Sequence, residues 1–126
     1  SQAISEEELK KKGFDPDAPN RAIISIPSIL SEVEPEKRDP AEARNAEGYY
    51  VMGYKRVRVG DVETLVHILR EMRDEARESG YKDFFVEFRV DKDVQFVDVE
   101  PALMAAARAN IPDMHLKTLG TKKETK

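Results

Sequence analysis

Residues 84–119, FFVEFRVDKDVQFVDVEPALMAAARANIPDMHLKTL, decide the fold of this chain. Apolar and polar residues alternate from Phe84 to Val90, which predicts a strand with one buried face. Good helix formers follow as far as Asn110, and Asp98 is the expected N-cap of this helix. A second apolar segment, Met114 to Leu119, predicts another strand. Because a helix separates the two strands, we expect a crossover connection and a parallel pair.

The preceding segment predicts a hairpin and another helix. Tyr49 to Val59 alternates around Gly53, where the chain must reverse. Val62 to Glu78 repeats apolar residues at helical spacing behind Asp61, a favourable N-cap. Pro101 fits the first turn of the later helix, where its missing N–H costs little. We therefore predict an α+β fold with two helices packed on one face of a small mixed sheet of about four to five strands.

The chain divides by composition into three parts. Residues 1–47 predict an N-terminal extension and charged linker. Within it, residues 22–27 predict a strand that Pro27, which lacks an N–H, either ends or restricts to an edge of the sheet. Residues 48–120 hold the elements above and predict one compact domain. Residues 121–126 form a polar tail.

Within the extension, Ser5 and Glu8 have the spacing of a capping box, which predicts a short helix from Glu6 to Lys12. Residues 14–19 contain two prolines and are read as an irregular linker. A long charged loop is expected from Ser31 to Glu47.

The composition argues against several classes of function. The 126 residues carry a formal net charge of −4, so there is no basic excess to neutralise phosphates, and we expect no nucleic-acid partner. The chain has no cysteine, which excludes a disulfide framework and thiolate metal sites. It also has no apolar run of about 18 residues, the length needed to span a bilayer.

The residues that could carry chemistry are few. Asp91, Asp93 and Asp98 cluster around one turn, and such a cluster can bind a metal. Turn formation and helix capping need the same residue types, and we favour that interpretation. His67 and His115 are isolated in the sequence, and there is no glycine-rich phosphate loop or nucleophile elbow. We therefore predict no enzyme, no catalytic residue, no cofactor and no metal site.

The hairpin carries aromatic and basic side chains that could form a glycan- or partner-binding surface. Aromatic rings interleaved with arginine stack on sugars or bases. The alternative is an ordinary two-faced hairpin whose tyrosines shield the sheet. The residues concerned are Tyr49, Tyr50, Tyr54, Arg56 and Arg58.

The last strand is short, and we expect it at an edge of the sheet. An edge strand has unpaired N–H and C=O groups that recruit another strand. Met114, Leu116 and Thr118 are then the candidate contact residues. The alternative is an edge protected by His115 and Lys117.

Three segments resemble the periplasmic domain of the ExbD/TolR family of biopolymer transport proteins. Residues 89–99, RVDKDVQFVDV, are similar to the family's R-A-D-K, then any residue, V-P-Y-G, a charged residue and V. Residues 49–53, YYVMG, resemble its YYVNG hairpin, and residues 107–111, ARANI, resemble the end of its second helix. The resemblance covers residues 48–120. The chain departs from the family pattern at Val90, Gln95 and Val97.

The resemblance implies a non-enzymatic periplasmic domain of an inner-membrane complex that is coupled to the proton-motive force. The anchoring helix and its proton-relaying aspartate would lie outside this chain. The implied partners are a second copy, an ExbB/TolQ-like channel subunit, and a TonB- or TolA-like protein or peptidoglycan. The alternative is a free-standing small α+β binding or regulatory module in the cytoplasm.

Overall fold

The computed structural model describes residues 5–27 and 48–119, which form three helices and one mixed sheet of six strands. The predicted α+β class is confirmed. The loop expected at Ser31–Glu47 and the tail at 121–126 lie outside the described residues. The helices are α1 (Glu6–Lys12), α2 (Val62–Glu78) and α3 (Phe96–Arg108). The strands are β1 (Phe14–Asp15), β2 (Ala18–Ile26), β3 (Tyr49–Met52), β4 (Lys55–Arg58), β5 (Phe85–Asp91) and β6 (Met114–Leu119).

The sheet has the order β4-β3-β2-β5-β6, and β1 also pairs with β2. Strands β5 and β6 are parallel, as predicted, with Val86 opposite Met114. Strand β2 is parallel to β5 on one side and antiparallel to β1 and β3 on the other. The expected edge position of residues 22–27 is therefore wrong, because both sides of this strand are occupied. Pro27 follows the strand and removes no hydrogen bond from its interior.

The sheet also includes residues that the sequence analysis assigned to a linker. Asp15 accepts a hydrogen bond from the N–H of Asp17 (2.9 Å), which forms a tight turn between β1 and β2. Residues 14–19 are therefore part of the sheet and not an irregular linker. Phe14 and Ile24 are buried in the same core as Tyr50, so the folded unit includes residues on both sides of Gly48.

One face of the sheet is covered by helices and the other is open. Alternate residues of the two central strands are buried on the covered face, as at Ile24 on β2 and Phe88 on β5. Helix α2 contributes Leu65, Leu69 and Met72 to this core, and it packs against α3. On both strands, the residues that alternate with these buried ones face the other side of the sheet and are only half-buried. We call this second side the open face.

Helix α3 begins three residues earlier than the sequence predicts. The C=O of Asp91 accepts from the N–H of Val94 (3.0 Å), so the turn after β5 closes early and the helix begins at Phe96. Its N-cap is Gln95, which makes no side-chain capping bond, and the predicted cap at Asp98 is therefore wrong. Pro101 consequently lies inside the helix and not in its first turn.

Helix α1 is attached to the tip of the β3–β4 hairpin. The C=O of Lys11 accepts from the N–H of Tyr54 (3.1 Å), and the C=O of Gly13 accepts from the N–H of Ile23 (2.8 Å). Leu9 is buried, which anchors the helix further. The predicted helix from Glu6 to Lys12 is confirmed, together with its cap, because the Ser5 side chain accepts from the N–H of Glu8.

None of the helices in residues 5–27 and 48–119 has the length and apolar character needed to cross a membrane.

Candidate functional site

Strand β6 lies at an edge of the described sheet, as the sequence predicts. Among the described strands, it pairs with β5 alone. The N–H of Val86 donates to the C=O of Asp113 (3.1 Å), so the odd-numbered residues of this segment direct their backbone groups at β5. Because successive residues point to opposite sides, Met114, Leu116 and Thr118 direct their N–H and C=O groups outward. These three candidate contact residues therefore lie where a further strand would pair.

Large apolar side chains are partly exposed along this edge. Met114 and Leu116 are in register with buried residues of β5, but they are 36% and 54% exposed. Met114 also lines a pocket of about 410 Å³, together with Ala107 and Ile111. Met104 on α3 is also 49% exposed. The described helices thus do not extend over β6, so its side chains on the helical side of the sheet are partly exposed.

The structure places only part of the predicted hairpin surface on the outside. Tyr50 is completely buried, so it is not available to a ligand. Its phenol donates to the C=O of Asp98 (2.8 Å), and burial raises its pKa to about 12. All four positions of YYVM are apolar, so the sequence does not reveal whether residues 49 and 51 or residues 50 and 52 face inward. The partner strand decides it, because Tyr50 lies opposite the buried Val57.

The other hairpin residues are exposed. Tyr49 lies directly opposite Arg58, and Val51 lies opposite Arg56, so all four side chains are on the open face. Tyr54 is 74% exposed in the turn. A role of this surface in binding a glycan or a partner stays a prediction.

A row of basic residues on the open face was missed in the sequence. The strand registers place Arg56, Val51, Ser25, Arg89 and Lys117 side by side across five strands. Each basic residue belongs to a different strand, so only the register reveals the row. The one available signal was the alternation of charged residues along single strands.

Ion pairs on the open face hold the central arginine of this row. The Nε of Arg89 donates to Oε2 of Glu87. Glu87 also lies 3.9 Å from Arg21, which pairs with Asp15 at 3.2 Å. Arg89 is therefore oriented by a neighbouring carboxylate, and within residues 5–27 and 48–119 its terminal N–H groups make no further hydrogen bond.

The acidic residues after β5 serve the turn. Oδ1 of Asp91 accepts from the N–H of Asp93 (3.2 Å), while Asp98 lies in the first turn of α3. No group of three His, Cys, Asp or Glu residues that could hold a metal occurs in the described part of the chain. The turn interpretation of this cluster agrees with these contacts.

The two histidines lie on opposite sides of the sheet. His67 on α2 is 3.2 Å from Glu71 at the surface of the helical layer. His115 is on the open face, where its ring contacts Phe85 edge-on at a centroid distance of 6.4 Å. The fold therefore does not bring them together.

Comparisons with protein-family models, with curated proteins and with solved structures find no match for this chain. The resemblance to the ExbD/TolR family therefore stays a prediction.

Proposed function

We propose that the chain is a non-enzymatic periplasmic domain of an ExbD/TolR-like component of an inner-membrane, proton-motive-force-coupled complex. The order of elements supports the proposal. A hairpin (β3–β4) is followed by α2, β5, α3 and β6, which is the order that the resemblance implies. Both long helices also lie on one face of the sheet.

One contact carries the proposal. Residues 49–53 and 89–99 supply the hairpin and turn motifs of the resemblance, and they are distant in sequence. In the fold they meet, because the phenol of Tyr50 donates to the C=O of Asp98 (2.8 Å). The bond requires a phenol at residue 50 and only a main-chain carbonyl at residue 98, so it ties the two motif segments together in space through the hairpin's tyrosine.

The function would be to transmit movement and not to perform chemistry. The anchor of such a component and its proton-relaying aspartate would precede this domain. The domain would then couple an ExbB/TolQ-like channel subunit to a TonB- or TolA-like protein or to peptidoglycan. Both exposed surfaces of the sheet, the β6 edge and the open face, are suited to binding a partner.

The proposal is tested on the product of the complete parent gene. We expect an apolar run of about 20 residues with one aspartate before this domain. We also expect the protein to remain in the membrane after carbonate washing and to co-purify with the ExbB/TolQ-like subunit encoded in the same genome. A soluble gene product with no such run would contradict the proposal and favour the cytoplasmic binding module.

We propose in addition that two copies pair through β6. The outward backbone groups of Leu116 and the uncovered side chains of Met114 and Leu116 support it. Leu116→Pro removes one outward N–H without removing a bond to β5. Leu116→Ile is the matched control because it keeps the N–H and an apolar side chain of the same size, and it suits a strand.

Sedimentation velocity at rising protein concentration measures the outcome. We expect dimers of the parent and of Leu116→Ile, and monomers of Leu116→Pro, with equal far-ultraviolet circular dichroism. Identical sedimentation of all three proteins would contradict pairing through this edge.

A further inference from the structure

A pocket of about 300 Å³ lies where α1 and the β1–β2 turn meet the open face. Ile23, Ser25 and Val51 form its floor, which comes from the two neighbouring strands β2 and β3. Lys10 of α1 and Arg89 of β5 also line it. This volume is at the lower end of the range for ligand pockets, and it holds one or two amino-acid side chains.

The charge of the pocket is positive, although the chain as a whole is acidic. Among the described residues, its charged lining residues are Lys10 and Arg89, and none of the others that line it is a carboxylate. Within the described part of the chain, the ammonium group of Lys10 makes no ion pair or hydrogen bond. Arg89 is oriented by Glu87 through Nε alone. Two cations therefore border an apolar floor and can accept the same anionic group.

Basic residues continue on both sides of this pocket. Arg56 and Lys117 belong to the row of residues that runs across the open face through Ser25 and Arg89. Strands are spaced by about 4.8 Å, so three steps across the sheet separate Arg56 from Arg89 by about 14 Å. An extended peptide advances about 3.3 Å per residue, so two carboxylates four residues apart would match this separation.

We propose that this pocket binds an extended peptide segment in which apolar residues lie between acidic ones. One carboxylate would bind between Lys10 and Arg89, and a second would bind Arg56. An aliphatic side chain between them would cover Ile23 and Val51. A neutral glycan fits less well, because the aromatic ring that lines the pocket is Phe14, which is buried.

This inference goes beyond the proposed function and does not depend on it. The pocket is built from folded residues and exists whether or not a membrane anchor precedes them. Its test uses the chain by itself, whereas the proposed function is tested by membrane association. Each test can therefore fail without the other.

The probe is the peptide acetyl-Glu-Thr-Val-Thr-Glu-amide, in which both Glu side chains and the central Val side chain share one face. It is titrated into the ¹⁵N-labelled chain and followed by two-dimensional NMR. We expect amide shifts centred on Ile23, Ser25 and Val51. We also expect binding to weaken between 20 and 200 mM salt, because the Debye length falls from roughly 20 Å to roughly 7 Å over this range. The matched probe with Gln in place of both Glu residues is expected to bind at least about tenfold more weakly. Equal binding of the two peptides, or no shifts at millimolar probe, would overturn the proposal.

Two variants separate the pocket from general surface charge. Lys10→Gln is expected to weaken binding roughly threefold to tenfold, while Lys11→Gln, on the same helical turn but outside the pocket, leaves it within twofold. Ser25→Phe fills the floor and keeps every charge, so it should abolish binding. If Lys10→Gln and Lys11→Gln behave alike, or if a folded Ser25→Phe variant binds normally, the site is not this pocket.

Discussion

Replacing Gly53 by alanine tests how α1 is held against the hairpin. Gly53 has a φ of +59°, in the left-handed region. A methyl group on its Cα would overlap the carbonyl oxygen of Lys11 and would lie 2.6 Å from the backbone nitrogen of Gly13. Gly80 is the matched control, because its φ is +98° and an added methyl group would meet nothing within 4 Å.

The expected losses follow from these contacts. A left-handed conformation costs alanine about 1–2 kcal/mol at either position. At Gly53 the clash is with backbone, so the end of α1 has to move away. The hydrogen bond from Tyr54 to Lys11 is then lost, at about 1 kcal/mol, together with part of the burial of Leu9, which contributes about 1.5–3 kcal/mol when complete. We expect Gly53→Ala to lower the free energy of unfolding by about 4 kcal/mol and Gly80→Ala by about 1 kcal/mol.

Urea denaturation followed by circular dichroism measures both losses. Amide hydrogen exchange locates the damage, and we expect faster exchange in residues 9–13 of the Gly53 variant only. Equal losses for the two variants would refute the reasoning, since they share the backbone strain and differ only in the contact with α1.

Three further predictions concern the helical side of the sheet. Tyr50→Phe removes the hydrogen bond to Asp98 and should cost about 1 kcal/mol in urea denaturation. The pKa of Tyr50 is raised from 10.0 to about 12, so its stabilising contribution is complete below pH 10 and is lost as the pH rises through 12. Each pKa unit is worth 1.36 kcal/mol, so up to about 2.7 kcal/mol should be lost over this range in the parent, and a Tyr50→Phe variant with the same pH profile would contradict the assignment. Arg73→Met breaks a bond to the C=O of Ala109 and should cost about 1.5–3 kcal/mol in thermal and urea denaturation, while Arg70→Met, at an exposed contact, should cost less than about 1 kcal/mol.

Local patterns predicted the elements that depend on local chemistry. The alternation in β5, the apolar stripe of α2 and the reversal at Gly53 each require only a few neighbouring residues, and all three are present in the fold. The short helix ending at Gly13 was also predicted from its caps.

The misplaced elements depend on contacts between distant segments. The central position of β2 is determined by β3 and β5, and nothing within its own sequence specifies two neighbours. The inward direction of Tyr50 is set by Val57 on the opposite strand. The pocket joins Lys10 to Arg89, two residues that only the assembled sheet brings to one place.

The parallel arrangement of β2, β5 and β6 determines how the domain responds to mechanical load. A force that pulls the start of β2 away from the end of β6 acts along these strands and not across them. Six residue pairs between β2 and β5, and six between β5 and β6, then carry the load together in shear. Their hydrogen bonds have to fail nearly simultaneously, whereas the antiparallel β3–β4 hairpin lies outside this line of tension. Tension between the start of β2 and the end of β6 is therefore opposed by two strand pairs that are loaded in shear.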